Sequence, residues 1–146
     1  MSNSDNTVQP SPFQSMSEEE RIHFTRNIIA LLDDWKVADS DQIRLLGVAD
    51  ETRRRQVRSW RQGSSFLPDE PRVVEYIDHL LGIEDALRTS NPCNYSAGST
   101  WMNRVNNRFG NRTPLAAMLE DGITSIVAVR IHLDCAYDWH IDTQQN

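Results

Sequence analysis

The sequence predicts an all-α fold. Apolar residues recur near the helical period in several stretches, and capping residues and glycines stand at the ends of those stretches. No segment alternates apolar and polar residues convincingly over the length of a strand, and no internal repeat is evident. The expected organisation is a disordered tail over 1–16, a helical domain over 17–88, a linker over 89–99 and a second helical domain over 100–146.

Residues 1–16 are rich in Ser, Asn, Gln and Pro, a composition that buries too little surface to offset chain entropy. Ser17 followed by Glu18, Glu19 and Glu20 opens a first helix. It supplies a hydroxyl cap, a carboxylate at the third helical position and negative charge at the positive end of the dipole. Ile22, Ile28, Ile29, Leu32 and Trp35 continue its apolar face to about Lys36. Asp39 or Ser40 caps a short second helix through Leu45 and Leu46, closed by Gly47. Asp50 caps a third, arginine-rich helix anchored by Val57 and Trp60 and ended by Gly63-Ser64-Ser65 before Pro68.

A fourth helix runs from about 70 to 88, with Val73, Val74, Ile77, Leu80, Leu81 and Leu87 on one face and Gly82 as a candidate kink. Residues 89–99, rich in Ser, Asn, Gly and Pro, read as a connection. A short helix over 115–120 is opened by Thr113-Pro114, with proline at its favoured first position, and ended by Gly122. The last helix, about 123 to 137, carries Ile126, Val127, Val129, Ile131 and Leu133 on more than one side, so one stripe faces the core and another a partner.

A chain of 146 residues is long enough to bury an apolar interior without staples. Only Cys93 and Cys135 occur, no secretory hydrophobic region opens the chain and no apolar run approaches a membrane span, so the expected compartment is the cytoplasm. The 15 basic and 21 acidic residues give a net charge of −6, which argues against a general nucleic-acid coat protein. The distribution differs from the total. Between Asp41 and Arg61 six arginines face three acids, so that stretch carries +3 and the remainder −9.

Residues 101–122 are the most informative stretch, combining Trp101, a Gly-centred turn and a Pro-initiated helix. They resemble the toxin-binding domain of the Xre/MbcA/ParS antitoxin family. Its signature is Trp, a small aliphatic residue, Pro-Asn, an aromatic residue or Leu before Gly-Gly-Arg, then Pro-Leu, Met or Leu, and a closing Gly. The chain keeps Trp101, Asn106, Phe109, Gly110, Arg112, Pro114, Leu115, Met118 and Gly122. It departs at Val105, where the family has Pro, and at Asn111, where it has the second Gly. Asn is the non-Gly residue best able to take a left-handed turn position, and Val gives up only a fixed φ, so the turn is expected to be kept.

Leu80-Leu81-Gly82-Ile83 with Ala86-Leu87, and Val129-Arg130-Ile131-His132-Leu133-Asp134, extend the likeness over about residues 24–134. The resemblance implies an N-terminal Xre-like helix-turn-helix bundle and a C-terminal helical toxin-binding domain. It also implies self-association as a homodimer and a partner toxin of the RES fold. Such a toxin consumes NAD, and the antitoxin's C-terminal region occludes its active site.

A short helix, a Gly-containing turn and an arginine-bearing helix form the arrangement in which the second helix enters the major groove. Arg53, Arg54, Arg55, Arg58 and Arg61 span more than one helical face, so some would contact phosphates while Gln56 or one arginine reads bases of operator DNA. The segment from Leu45-Leu46-Gly47-Val48 to Trp60-Arg61 and Gly63 resembles an Xre-type reader. The thirteen positions from Gly47 to Trp60 exceed the compact spacing by about four, so either the turn or the third helix is longer. The plainer alternative is a solvated Arg-rich helix paired with nearby acids.

For toxin binding the candidates are Trp101, Asn106, Arg112, Arg130, Asp134, Tyr137, Trp139 and His140. Aromatic residues flanked by Asp134, Asp138 and Asp142 suit a basic cleft that normally holds an anionic dinucleotide. Trp139 packed back on its own domain is the competing reading. His132, Cys135 and His140 are too few for a convincing metal site. No phosphate loop, nucleophile elbow or repeated Cys pair occurs, and no carboxylate pair stands out as acid and base. The expectation is a non-enzymatic antitoxin without cofactor or metal, with a helix-turn-helix regulator lacking a toxin as the alternative.

Overall fold

Ser17 accepts a hydrogen bond on its hydroxyl from the Glu20 amide at 3.1 Å, and Glu20 returns one from the Ser17 amide at 2.8 Å. This reciprocal box starts α1 (Glu18–Asp34) where the sequence predicts it. The computed structural model describes residues 11–94 and 96–145, with side chains described as far as Cys135. After α1 come α2 (Asp39–Leu45), α3 (Arg54–Gln62), α4 (Pro71–Ser90), α5 (Ala97–Met102), α6 (Pro114–Asp121) and α7 (Ile123–Gln145). Short 3-10 turns occupy Pro12–Ser15 and Asn107–Phe109. The described residues contain no strand, only an isolated bridge between Asn106 and Arg112, and the fold is all-α.

Several expectations are corrected. Part of the supposed disordered tail is structured: Phe13 is 1% exposed, packs edge-on to Phe24 with centroids 5.6 Å apart, and its carbonyl accepts from Arg21 Nε and Nη2 at 3.0 and 2.7 Å. One large aromatic ring outweighs the polar composition around it. The rest of that tail, residues 1–10, lies outside the described residues. Neither Asp39 nor Ser40 caps α2, whose cap is Ala38, and Asp50 does not cap α3, whose cap is Arg53 with no side-chain bond. The Asp39 carboxylate is drawn instead to Arg61.

Gly82 does not break α4, which runs unbroken through it to Ser90. A Cβ at this position would collide with the Arg130 guanidinium, so the glycine leaves room for that α7 side chain to lie across α4. The connection expected over 89–99 is shorter, because α4 continues into it and α5 begins at Ala97. The last helix continues past 137 to Gln145.

α1 and α2 pack on α3, α4 packs on α5 and α7, and α6 packs on α7. The two groups join where α2 meets α6 and where Asn103 of the α5 end donates from Nδ2 to the Trp35 carbonyl at 2.9 Å. Buried Ile28, Leu32, Leu46, Val57, Leu80, Met118 and Val129 therefore belong to one continuous core. Thr25 adds a buried tie by accepting from the Leu67 amide at 3.0 Å. No helix among the described residues is long and apolar enough to cross a membrane.

Candidate nucleic-acid interface and signature unit

α2 ends at Leu45 and Gly47 takes a left-handed φ of 71°, as its position predicts. The extra spacing before Trp60 lies in the connection over 46–53, which contains a turn closed by the Thr52 amide on the Ala49 carbonyl at 3.0 Å. α3 itself is short, with nine residues, so of the two expected alternatives it is the turn and not the third helix that is longer.

Val57 and Trp60 are buried and seat α3 on α1 and α2. Arg53, Arg54, Arg55 and Arg58 are exposed, and among the described residues none of the four side chains makes a hydrogen bond or ion pair. They are not neutralised by pairing with acids. Arg61 behaves differently. Its Nε and Nη2 donate to the two oxygens of Asp33 at 3.0 and 2.9 Å, and Nη2 also reaches Asp39 at 2.8 Å. The hydrogen bonds that Arg61 donates to Asp33 first and to Asp39 second raise its pKa above the ordinary arginine value. Gln42 Nε2 donates to the same Asp33 at 2.7 Å, so one polar cluster ties α1, α2 and α3.

Arg61 is therefore an internal clamp and not one of the free arginines expected to meet DNA. Gln56 is also engaged: its Nε2 donates to Ser65 Oγ at 3.2 Å, and Ser65 in turn lies 2.7 Å from Ser59 Oγ. The sequence placed these two side chains correctly on the helix but gave no sign that loop and helix partners would occupy them.

The signature region folds as a compact turn. The Asn106 side chain accepts from the Arg108 amide at 2.9 Å and caps the 3-10 turn, while its own amide donates to the Arg112 carbonyl at 3.0 Å. Gly110 and Asn111 are both left-handed, with φ of 70° and 60°, so Asn111 takes the position expected of it. Val105 is 62% exposed, consistent with a position where proline would add only rigidity. Thr113 then caps α6 by accepting from the Ala116 amide at 2.9 Å, with Pro114 in the first turn.

Arg112 folds over this turn. Its Nε donates to the Phe109 carbonyl at 2.9 Å, and its two terminal nitrogens reach Glu120 at 3.0 Å and Asp121 at 2.9 Å. Hydrogen bonds from Arg112 first and Ser125 second hold Asp121 below the usual carboxylate range. Trp101 is half-buried, stacks on His132 with centroids 6.1 Å apart, and meets Phe109 edge-on at 6.2 Å. Burial first, and the nearby Arg108 charge second, lower the His132 pKa.

Arg130 lies on Gly82 and donates from Nη1 to Asp78 Oδ2 at 3.0 Å. Of the residues expected to touch a toxin, Asn106, Arg112 and Arg130 thus have internal partners, and Asp134 is exposed. The side chains of Tyr137, Trp139 and His140 lie outside the described residues. Sequence reasoning passed over Ile131 as an individual contact although it is 57% exposed on α7; its place opposite buried Val129 and Leu133 was the available signal. Among the described residues no cluster of His, Cys, Asp or Glu is arranged to hold a metal ion.

No protein-family model matches the chain, and no solved structure matches it. The chain is 32% identical over 104 residues to the uncharacterized protein y4oB of Sinorhizobium fredii, an alignment spanning 71% of this chain and 76% of that protein. At that identity and coverage, the chain belongs to the same family as y4oB.

Proposed function

We propose that the chain is an antitoxin of the Xre/MbcA/ParS type, which neutralises a RES-domain toxin by direct binding through its C-terminal region and binds its own operator as a homodimer. The observation that carries this reading is the left-handed Gly110-Asn111 turn, braced by Asn106 and Arg112 and leading into the Pro114-initiated helix. It supports the resemblance at one of the positions where the sequence departs from the family pattern. The surface of α7 that carries Ile131 and Asp134, continued by the residues beyond them, is the part proposed to enter the toxin's cleft. α2 and α3 are proposed as the helix-turn-helix, with the free arginines toward DNA.

The test is co-expression with the protein encoded beside this chain, followed by pull-down and growth. Association and restored growth are expected. Truncation after Leu133 is expected to weaken rescue while leaving cooperative unfolding and DNA binding, with helical content lowered only by the lost end of α7, because buried Ile126, Val129 and Leu133 all precede the cut. Full rescue by the truncated chain would remove the C-terminal segment from the proposal. A DNA-binding regulator without a toxin is the second reading, favoured by the unpaired arginines alone; it predicts DNA binding with no partner and no rescue.

A further inference from the structure

The inference rests on the DNA-binding half of the proposed function and divides the arginines by role. Buried Val57 and Trp60 set the inward side of α3. At about 100° per residue, Arg55, Arg58 and Gln62 then fall on the outward side, while Arg54 lies on a flank. That flank faces α2, because Arg53 and Arg54 line an open notch with Arg44 of α2, and Asp50 lies beside them. The notch keeps an excess of positive charge. Arg44 has only a long, exposed contact with Asp41 at 3.9 Å, and Arg53 and Arg54 have no partner among the described residues. The start of α3 opens at the same place, without a side-chain cap and without an acid in its first turn.

We propose that duplex DNA is held by Arg44, Arg53 and Arg54, which grip backbone phosphates across the notch, and is read by Arg55 and Arg58, which recognise guanine in the major groove. In a helix-turn-helix the first helix crosses the backbone and the N-terminal part of the second reaches base edges, which is how these two sets are disposed. An arginine fork donates two parallel hydrogen bonds to guanine O6 and N7. Gln56 is excluded as reader by its bond to Ser65, and Arg61 by its bonds to Asp33 and Asp39. Gln62 faces outward but ends the helix, about 10 Å along the axis from Arg55.

Fluorescence anisotropy on the full chain tests this with two duplexes of equal length, one taken from immediately upstream of its own reading frame and one of mixed sequence, each over a range of salt. Arg55→Ala and Arg58→Ala are each expected to reduce the preference for the upstream duplex by about 5- to 150-fold. Arg44→Ala, Arg53→Ala and Arg54→Ala should weaken both duplexes alike and lower the salt slope by about one. Gln56→Ala should leave the preference unchanged, and circular dichroism checks that every variant keeps its helices.

Loss of preference in Gln56→Ala or Gln62→Ala, with Arg55→Ala and Arg58→Ala acting on both duplexes equally, overturns the division. A wild-type chain that binds both duplexes equally overturns base reading but leaves DNA contact standing. A wild-type chain that binds neither overturns the DNA-binding reading itself.

Discussion

Replacing Gly82 with alanine sets two effects of similar size against each other. Gly82 lies inside α4, where alanine is favoured over glycine by about 0.8–1.0 kcal/mol of helix propensity. The added methyl would occupy the space of the Arg130 guanidinium, whose flexible side chain must then swing away. The displaced arginine loses its ion pair to Asp78, worth about 0.2–1 kcal/mol because the Asp78 side chain is 72% exposed. It also loses the weaker contacts to the Asp78 carbonyl at 3.3 Å and to His79 Nδ1 at 3.2 Å, together worth about 0.5–1 kcal/mol. Gly82→Ala is therefore expected to lie between neutral and about 1 kcal/mol destabilising in the natural chain, yet to stabilise an Arg130→Ala chain by about 0.8–1.0 kcal/mol. Urea unfolding of the four proteins measures the coupling, expected at about 1–2 kcal/mol. If the two substitutions add to within about 0.3 kcal/mol, Arg130 does not rest on Gly82 and the account of the α4–α7 contact is wrong.

Arg61→Ala should destabilise by about 1 kcal/mol, since the clamp joins three helices but remains partly open to solvent, and Arg61→Lys should recover only part of this because an ammonium cannot reproduce the two-pronged bond to Asp33; urea midpoints decide. Asn111→Ala should cost about 1–2 kcal/mol by placing a Cβ without a compensating side chain in a left-handed position, whereas Asn111→Gly should stay within about 0.5 kcal/mol, and equal effects would refute a left-handed requirement. His132 has a lowered folded pKa, so the unfolded chain binds its proton first as pH falls; its neutral form supports the fold above about pH 6.5, and that support is lost as pH drops toward the folded value. His132→Phe should therefore flatten the fall in stability as pH drops below about 6.5, measured by urea unfolding at each pH.

The helices were legible because their signals are local. Ser17 with Glu20, Thr113 with Pro114, and the Gly47 and Gly63 stops each act within one turn of the chain, and each stands where the sequence predicts. The errors came from partners distant in sequence. Asp39 resembles a cap until Arg61, 22 residues later, takes its carboxylate. Gly82 resembles a kink until Arg130, from a helix 48 positions away, is seen to need the space. Phe13 resembles part of a solvated tail until Phe24 and the α1 arginine Arg21 are brought against it. Periodicity and capping rules describe a segment and its immediate neighbours, and none of these three facts is a property of a segment.

The same distinction governs the candidate sites. A signature such as Trp101 to Gly122 is recognised by its unusual residues, and unusual residues are often those that build a turn. Asn106 caps, Gly110 and Asn111 reverse the chain, and Arg112 bridges the Phe109 carbonyl to the acids ending α6. Their polar atoms are already engaged, so turning Arg112 toward a partner would leave Asp121 with Ser125 as its side-chain donor and the Phe109 carbonyl with the 3.3 Å bond from the Arg112 backbone amide. Contact with another molecule falls more naturally to side chains without partners among the described residues: Arg53, Arg54, Arg55 and Arg58 at one end, and Ile131 and Asp134 on α7. Apart from the arginines, these are the least distinctive residues of the sequence. A motif can thus identify the scaffold that presents a surface while the surface itself is read from exposure and from which donors remain free.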